Sequence, residues 1–242
     1  MNRVQENKAY KLTDYLARSN DIYTLNKYKI IMNWLPQTED MQILNAGCGS
    51  GEMNIMLAQR HSWQVDAIDI DSEAISLSQK LKSEANLVNL NLFNKPIEEH
   101  LPQHQYDIIV SNDVLEHIEN DVQVIKKFSE MLKQNGTICI SVPAYPWLFG
   151  FHDENLGHYR RYTKQDLLSK ISRYFKIEKY RYFAASLIPV VLLYSCWLRK
   201  PYPVNELNQK SYLKMIFDWL LIRESKITLP LGISLIVLAT KS

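Results

Sequence analysis

The chain of 242 residues carries a formal net charge of +2 with 46% hydrophobic residues, enough to bury the core of one α/β domain over 1–242 and too little for a second full one. A charge this slight, with no basic stripe interleaved with aromatics, argues against a nucleic-acid partner. The three cysteines, Cys48, Cys139 and Cys196, are odd in number and widely spaced, which speaks against a disulfide framework or a zinc site and suits a reducing cytoplasm; the polar N-terminal stretch holds no apolar export signal.

In chain order, 2–35 reads as two helices, a cap over 1–36, broken near Ser19-Asn20-Asp21 and stopped before Pro36. Apolar runs predict strands over 42–45, 64–69, 87–92, 106–111 and 137–142. Between them, 52–60, 73–83 and 121–133 carry helical spacing, the last closed by Asn135-Gly136, and Thr163-Lys164-Gln165-Asp166 reads as a capping box that starts a further helix. Such alternation predicts a doubly wound, Rossmann-like parallel sheet with helices on both faces. An apolar helical insertion over 184–226 follows, with 184–198 almost wholly apolar, then Arg199-Lys200-Pro201, then a second apolar helix over 212–222. The first stretch, interrupted by Pro189, is too short to span a bilayer. Ordinary packing, a lid, a homodimer contact and an interfacial anchor giving peripheral membrane contact all remain open for it. A last strand covers 232–240.

The densest chemical signal is Ile43-Leu44-Asn45-Ala46-Gly47-Cys48-Gly49-Ser50-Gly51, a short strand running into alternating glycines before a helix, with Asp69 at the tip of the next strand. Such a turn lets backbone approach a ligand, and a carboxylate placed like Asp69 accepts hydrogen bonds from ribose hydroxyls. The dinucleotide spacing G-x-G-x-x-G fails here, because Glu52 stands at the third glycine position. A carboxylate there repels a pyrophosphate but tolerates S-adenosylmethionine (SAM), which has a ribose and no phosphates; an oxidoreductase using NAD is disfavoured.

At these residues the chain resembles the class I SAM-dependent methyltransferases, whose first motif is an acidic or polar residue followed by x-G-x-G-x-G. Asn45 stands where that family often has Asp or Glu. The resemblance implies a mostly parallel sheet whose last strand is antiparallel. It also implies SAM contacts from Asn45, Gly47, Cys48, Gly49, Gly51, Asp69 and Ile70, from Asn94 toward the adenine amino group, and from Asn112 after the fourth strand. Phe93 is either a purine-packing residue or core. Val114-Leu115-Glu116-His117 is close to the family's V-L-E-H segment, where His117 either shapes the loop or acts as a general base.

The segment from Pro143 to Tyr162 is richer in proline, aromatic and polar residues than a connection needs. Its H-D-E-x-L-G-H-x-R-R-Y-T pattern resembles a bacterial subgroup of small-molecule methyltransferases, of ubiquinone-biosynthesis-like type, some of which accompany glycosyl- and lipid-modifying enzymes. Methyl transfer to a hydroxyl or ammonium requires alignment and removal of a proton. His152 or His158, with Asp153 fixing the imidazole, are candidate bases, and Tyr145, Trp147, Phe151 and Tyr159 candidate acceptor contacts. Arg160 and Arg161 either hold an anionic group of the substrate or pair with Asp153 and Glu154 to pin the loop. No metal is expected, since no further ligand is spaced to join His152, Asp153 and His158. These residues point to methyl transfer from SAM, with S-adenosylhomocysteine (SAH) as product, to a small acceptor, apolar, aromatic or lipid-like, most readily at oxygen. Cyclisation or another use of SAM, and a non-catalytic SAM-binding module, stay open as alternatives.

Overall fold

The computed structural model describes residues 21–202 and 212–241; the helix expected before residue 20 lies outside them. Helix α1 (Ile22–Trp34) begins where the break was expected, because the Asp21 carboxylate accepts the N–H groups of Tyr23 and Thr24 as an N-cap. The wound core follows: β1 (Gln42–Ala46), α2 (Glu52–Ala58), β2 (Gln64–Asp69), α3 (Ser72–Glu84), β3 (Leu90–Asn94), β4 (Tyr106–Asn112), α4 (Asp121–Met131) and β5 (Leu132–Pro143). Then come α5 (Phe151–Asn155), α6 (Lys164–Ile171), β6 (Phe175–Phe183), α7 (Tyr212–Lys226) and β7 (Ser234–Lys241).

The strands form one seven-stranded sheet in the order β3-β2-β1-β4-β5-β7-β6. The first five are parallel, and β7 runs antiparallel between β5 and β6, as the family resemblance implied. Strand alternation divides the core into two layers. Leu44, Ala46, Ile109 and Ile140 face α4 and α6, where Phe128 and Leu167 are buried. Ile43, Val65, Val110 and Cys139 face α1 and α2, where Ile31 and Leu57 are buried. Each buried Leu, Ile, Val or Phe among these stabilises the fold by about 1.5–3 kcal/mol relative to exposure.

Three boundaries depart from the sequence reading. Strand β6 was not expected; a bulge between Ile177 and Lys179 breaks its alternation, and Lys176, Glu178, Lys179 and Tyr180 are exposed, so its apolar side is discontinuous. Strand β3 starts later than expected, since Asn86 takes a positive φ of 52° and the Leu87 N–H returns to the Lys82 carbonyl. Helix α4 stops at Met131, and Asn135, at φ 62°, turns the chain within the irregular first half of β5 instead of closing the helix. Thr163 caps α6, its hydroxyl accepting the Asp166 N–H at 3.1 Å, which is the N-cap half of the expected capping box, while the Asp166 carboxylate pairs with Lys170 at 3.1 Å. The apolar insertion is helical in short pieces, a 3-10 turn (Ala185–Leu187), an α turn (Ile188–Val190) and a π-helical stretch (Val191–Trp197), before α7.

Candidate active site

The carboxyl ends of β1, β2, β3, β4 and β5 converge, as the rule for ligands of open α/β sheets requires. After β1, Gly47 takes a φ of +71°, and a Cβ there would meet Val114 Cγ2 at 2.2 Å, so only glycine fits beneath the loop that follows β4. Gly49, at φ +53°, has nothing within 4 Å of where its Cβ would be, leaving open space on the ligand side. Gly51, left-handed as well, is the N-cap of α2.

The turn's own donors are occupied. The Gly47 and Cys48 N–H groups both bond the Ile68 carbonyl at 2.9 Å, and the Gly49 N–H bonds Asp69 Oδ2 at 2.8 Å. None of these three is left for a phosphate, in agreement with the glycine spacing. Asp69 accepts that bond on one oxygen and the Asp71 N–H, at 3.0 Å, on the other, so each oxygen retains an acceptor site for a ribose hydroxyl. Burial pushes the Asp69 carboxyl up, opposed by these backbone bonds. The Cys48 thiol, buried beneath the turn, is pushed up to about 12 by desolvation and is inert as a nucleophile.

Past the end of β2, Ile70 is 68% exposed beside Asp69. The Asn94 amide donates both hydrogens, to the Asp69 carbonyl at 3.0 Å and the Ile70 carbonyl at 2.9 Å, which fixes its flip and leaves Oδ1 as an acceptor. Phe93 packs against the core and tilts on the His100 ring, which is the core reading of that residue. On β1, buried Asn45 donates to Asn54 Oδ1 at 2.7 Å and Asn54 donates to Ser78 Oγ at 2.7 Å. Asn45 Oδ1 and Asn112 Nδ2 are buried without a partner among the described residues, an acceptor and a donor on the same face of neighbouring strands. A ligand ending in both an ammonium and a carboxylate suits that pair. SAM therefore fits the cradle at its adenine, ribose and methionine ends.

The loop after β5 folds back over this region. The Tyr145 N–H bonds the Tyr162 carbonyl at 2.8 Å, and the Tyr159 N–H bonds the Glu116 carbonyl at 2.7 Å, drawing the loop onto the turn after β4. His158 Nδ1 lies 2.8 Å from Asp153 Oδ1, and the two imidazoles of His117 and His158 meet edge to face at 4.6 Å between centroids. Asp153 is fully buried; it also accepts Arg161 Nε at 2.7 Å and the Gly150 N–H at 3.0 Å. Burial alone would raise its pKa, but His158, Arg161 and Gly150 together hold it down at about 2. His152, the other sequence candidate, turns its ring toward Tyr202, with 4.7 Å between centroids, and its backbone N–H donates to Ser195 Oγ at 3.0 Å. Of the two candidate pairings, Asp153 thus takes His158.

The arginines are committed to the protein. Arg161 grips Asp153, and Arg160 bonds the Glu119 carbonyl at 2.7 Å and lies 3.3 Å from Asp121. Glu154 pairs with Arg199 and not with Arg160. These contacts match loop pinning better than anion capture. Among the described residues, a Glu116 carboxylate oxygen and ring nitrogens of His117 and His158 lie within 4.8 Å of one another, a grouping different from the His152, Asp153 and His158 set considered from sequence.

Tyr145, left-handed at φ 63°, stacks on Tyr182 at 5.2 Å and tilts against Trp147 at 5.3 Å, an aromatic wall at the ends of β5 and β6; Phe151 is half-buried at the start of α5. Tyr182 was missed because its strand was missed. Lys27 and Tyr23 of α1 were missed too, and no local signal marks them: Lys27 pairs with Asp113 after β4, and Tyr23 bonds Ser234 at the start of β7. Burial would lower the Lys27 pKa, but the facing Asp113 carboxylate reverses this and raises it.

A wound sheet with an antiparallel seventh strand, a glycine turn closed to phosphate and an acidic residue at the end of β2 are the features of a SAM-dependent methyltransferase of class I. The chain belongs to the methyltransferase domain family, whose model matches residues 37–209. It is 28% identical over 171 residues to a ubiquinone biosynthesis O-methyltransferase of Rickettsia typhi, a match covering 64% of this chain and 68% of that one. The corresponding enzyme of Rickettsia canadensis is 29% identical over 136 residues, covering 51% of this chain and only 57% of its own length. The fold is similar to that of the N-methyltransferase NodS from Bradyrhizobium japonicum in complex with SAH, with a TM-score of 0.61 and 12% identity over 92% of this chain and 89% of that one.

Proposed function

We propose that this enzyme methylates a hydroxyl oxygen of a small apolar, aromatic or lipid-like acceptor, with His158 as general base and Asp153 as its orienting carboxylate. The observation that carries this reading is the His158 Nδ1 to Asp153 Oδ1 contact of 2.8 Å, made to a buried carboxylate whose hydrogen-bond partners hold its pKa low. A carboxylate on Nδ1 fixes the tautomer that leaves Nε2 as the acceptor and stabilises the imidazolium that forms. The Rickettsia typhi relative is an O-methyltransferase, which supports oxygen over nitrogen.

The bound cofactor supplies an electrophilic methyl group on a sulfonium. Asp69 holds its ribose, Ile70 and Asn94 its adenine, and Asn45 and Asn112 its methionine end, while Gly47, Cys48, Gly49 and Gly51 shape the turn. Tyr145, Trp147, Phe151 and Tyr182 align an apolar acceptor and exclude water, and Tyr159 closes the loop edge. As the hydroxyl oxygen takes the methyl group, its proton passes to Nε2 of His158. His117 buttresses that ring.

The expected outcome for His158→Ala is a loss of about 10²–10⁴ in kcat, with SAM affinity by calorimetry unchanged. Asp153→Asn should lower kcat and shift the pH profile, a readout that mere loop pinning would not move. A second reading rests on the Glu116, His117 and His158 grouping, a divalent cation that binds the acceptor oxygen. Chelation separates the two: unchanged turnover after EDTA keeps the base, and loss restored by added Mg²⁺ or Zn²⁺ replaces it with the cation.

A further inference from the structure

Helix α7 is oriented in a way its composition does not foretell. Its exposed positions are Tyr212, Met215, Ile216, Trp219, Ile222, Arg223 and Lys226, a single helical stripe of large apolar side chains closed by two cations. Tyr212 is 84% exposed, and Ile216 and Trp219 are 54% and 55% exposed. The inward positions hold Leu221 and Glu224, both buried. An apolar helix in a water-soluble fold ordinarily turns this stripe inward, so a stripe turned outward marks a contact surface.

The helix is held firmly in that orientation. Arg181 of β6 donates to the carbonyls of Glu224, Ser225 and Ile227 at the C-terminal end of α7, and Glu224 Oε1 accepts the Ser186 N–H at 3.0 Å. Helix α7 packs on α1, which carries Lys27 and Tyr23 to the site. The neighbouring apolar stretch exposes Trp197 and Leu198 and runs into exposed Arg199 and Lys200.

The geometry points to an anionic lipid bilayer as the occupant of this stripe. Among the described residues the exposed charges of α7 are Arg223 and Lys226, the half-buried Lys214 and Asp218 being paired with each other at 2.8 Å, and the Arg223 guanidinium lies over the Trp219 ring at 5.2 Å, an amphipathic pair suited to the headgroup level. In a two-fold contact of this stripe with itself, the carboxylate beside it, Asp218, is already paired with Lys214, so a second copy would leave those cations uncompensated. Among the described residues no helix is long and apolar enough to cross a membrane, so the contact lies on the surface. Docking through α7 brings to the bilayer the helix that packs on α1, from which Lys27 and Tyr23 reach the site; delivery of a lipid-borne acceptor to the aromatic wall rests on the acceptor class proposed above.

The test is co-sedimentation of the intact chain with vesicles of phosphatidylcholine alone or mixed with phosphatidylglycerol, without SAM or acceptor, so that failure of docking is read apart from failure of the methyl-transfer reading. The wild type should bind the anionic vesicles preferentially. The double variant Ile216→Ser with Trp219→Ser should bind at least about tenfold more weakly at an unchanged melting temperature. Arg223→Gln with Lys226→Gln should lose about fivefold per cation on anionic vesicles only. No vesicle binding by the wild type, or a wild-type dimer in sedimentation equilibrium that Ile216→Ser with Trp219→Ser dissociates, would overturn the inference.

Discussion

Asp69 ties the glycine turn through the Gly49 N–H and keeps an acceptor site on each oxygen, which the proposed ribose contacts would use. Asp69→Ala should weaken SAM binding by about tenfold or more, the loss of hydrogen bonds to a charged group, and an unchanged dissociation constant by calorimetry would contradict the assignment. Asp153 makes a prediction about pH. Its folded pKa, about 2, lies below the ordinary carboxylate value, so its contribution to stability is fully present above the unfolded pKa and is lost as pH falls through the folded one. The melting temperature of the wild type should therefore approach that of Asp153→Asn as pH falls from about 4 toward 2. A gap between the two that stays constant across this window would show that Asp153 is not ionised in the fold. The placement of Asp69 and Asn94 at the ends of β2 and β3 was legible in the sequence because apolar runs lead up to both. The choice between His152 and His158 was not, since both flank Asp153 and only the α5 turn decides which ring reaches it.

At the scale of elements, the parallel core was readable wherever apolar periodicity was unbroken. Strands β1, β2 and β4 start where expected, and each ends within one residue of expectation. Helix α1 was readable at its start because Asp21 is a strong N-cap, yet its partners Asp113 and Ser234 are far away in sequence, and no local pattern encodes such pairings. Strand β6 failed the alternation test at its bulge, and with it went Tyr182, half of the aromatic stack with Tyr145. Helix α7 was legible as an apolar helix, but which face it would turn outward depends on Arg181 and Glu224, whose contacts are tertiary.

For the whole molecule, the sheet order and the antiparallel β7 put the glycine turn, the post-β4 segment and the aromatic loop at one edge, where one ligand can meet all three. Composition limited the fold class, and the glycine spacing selected the cofactor, but acceptor chemistry depends on side chains joined across the loop after β5. The most direct test is to supply SAM labelled in its methyl group with a panel of phenolic and aliphatic acceptors and locate the label by mass spectrometry. The account predicts label on a hydroxyl oxygen of an apolar acceptor, with little or none from His158→Ala. Label on nitrogen or carbon, or equal transfer by His158→Ala, would contradict it.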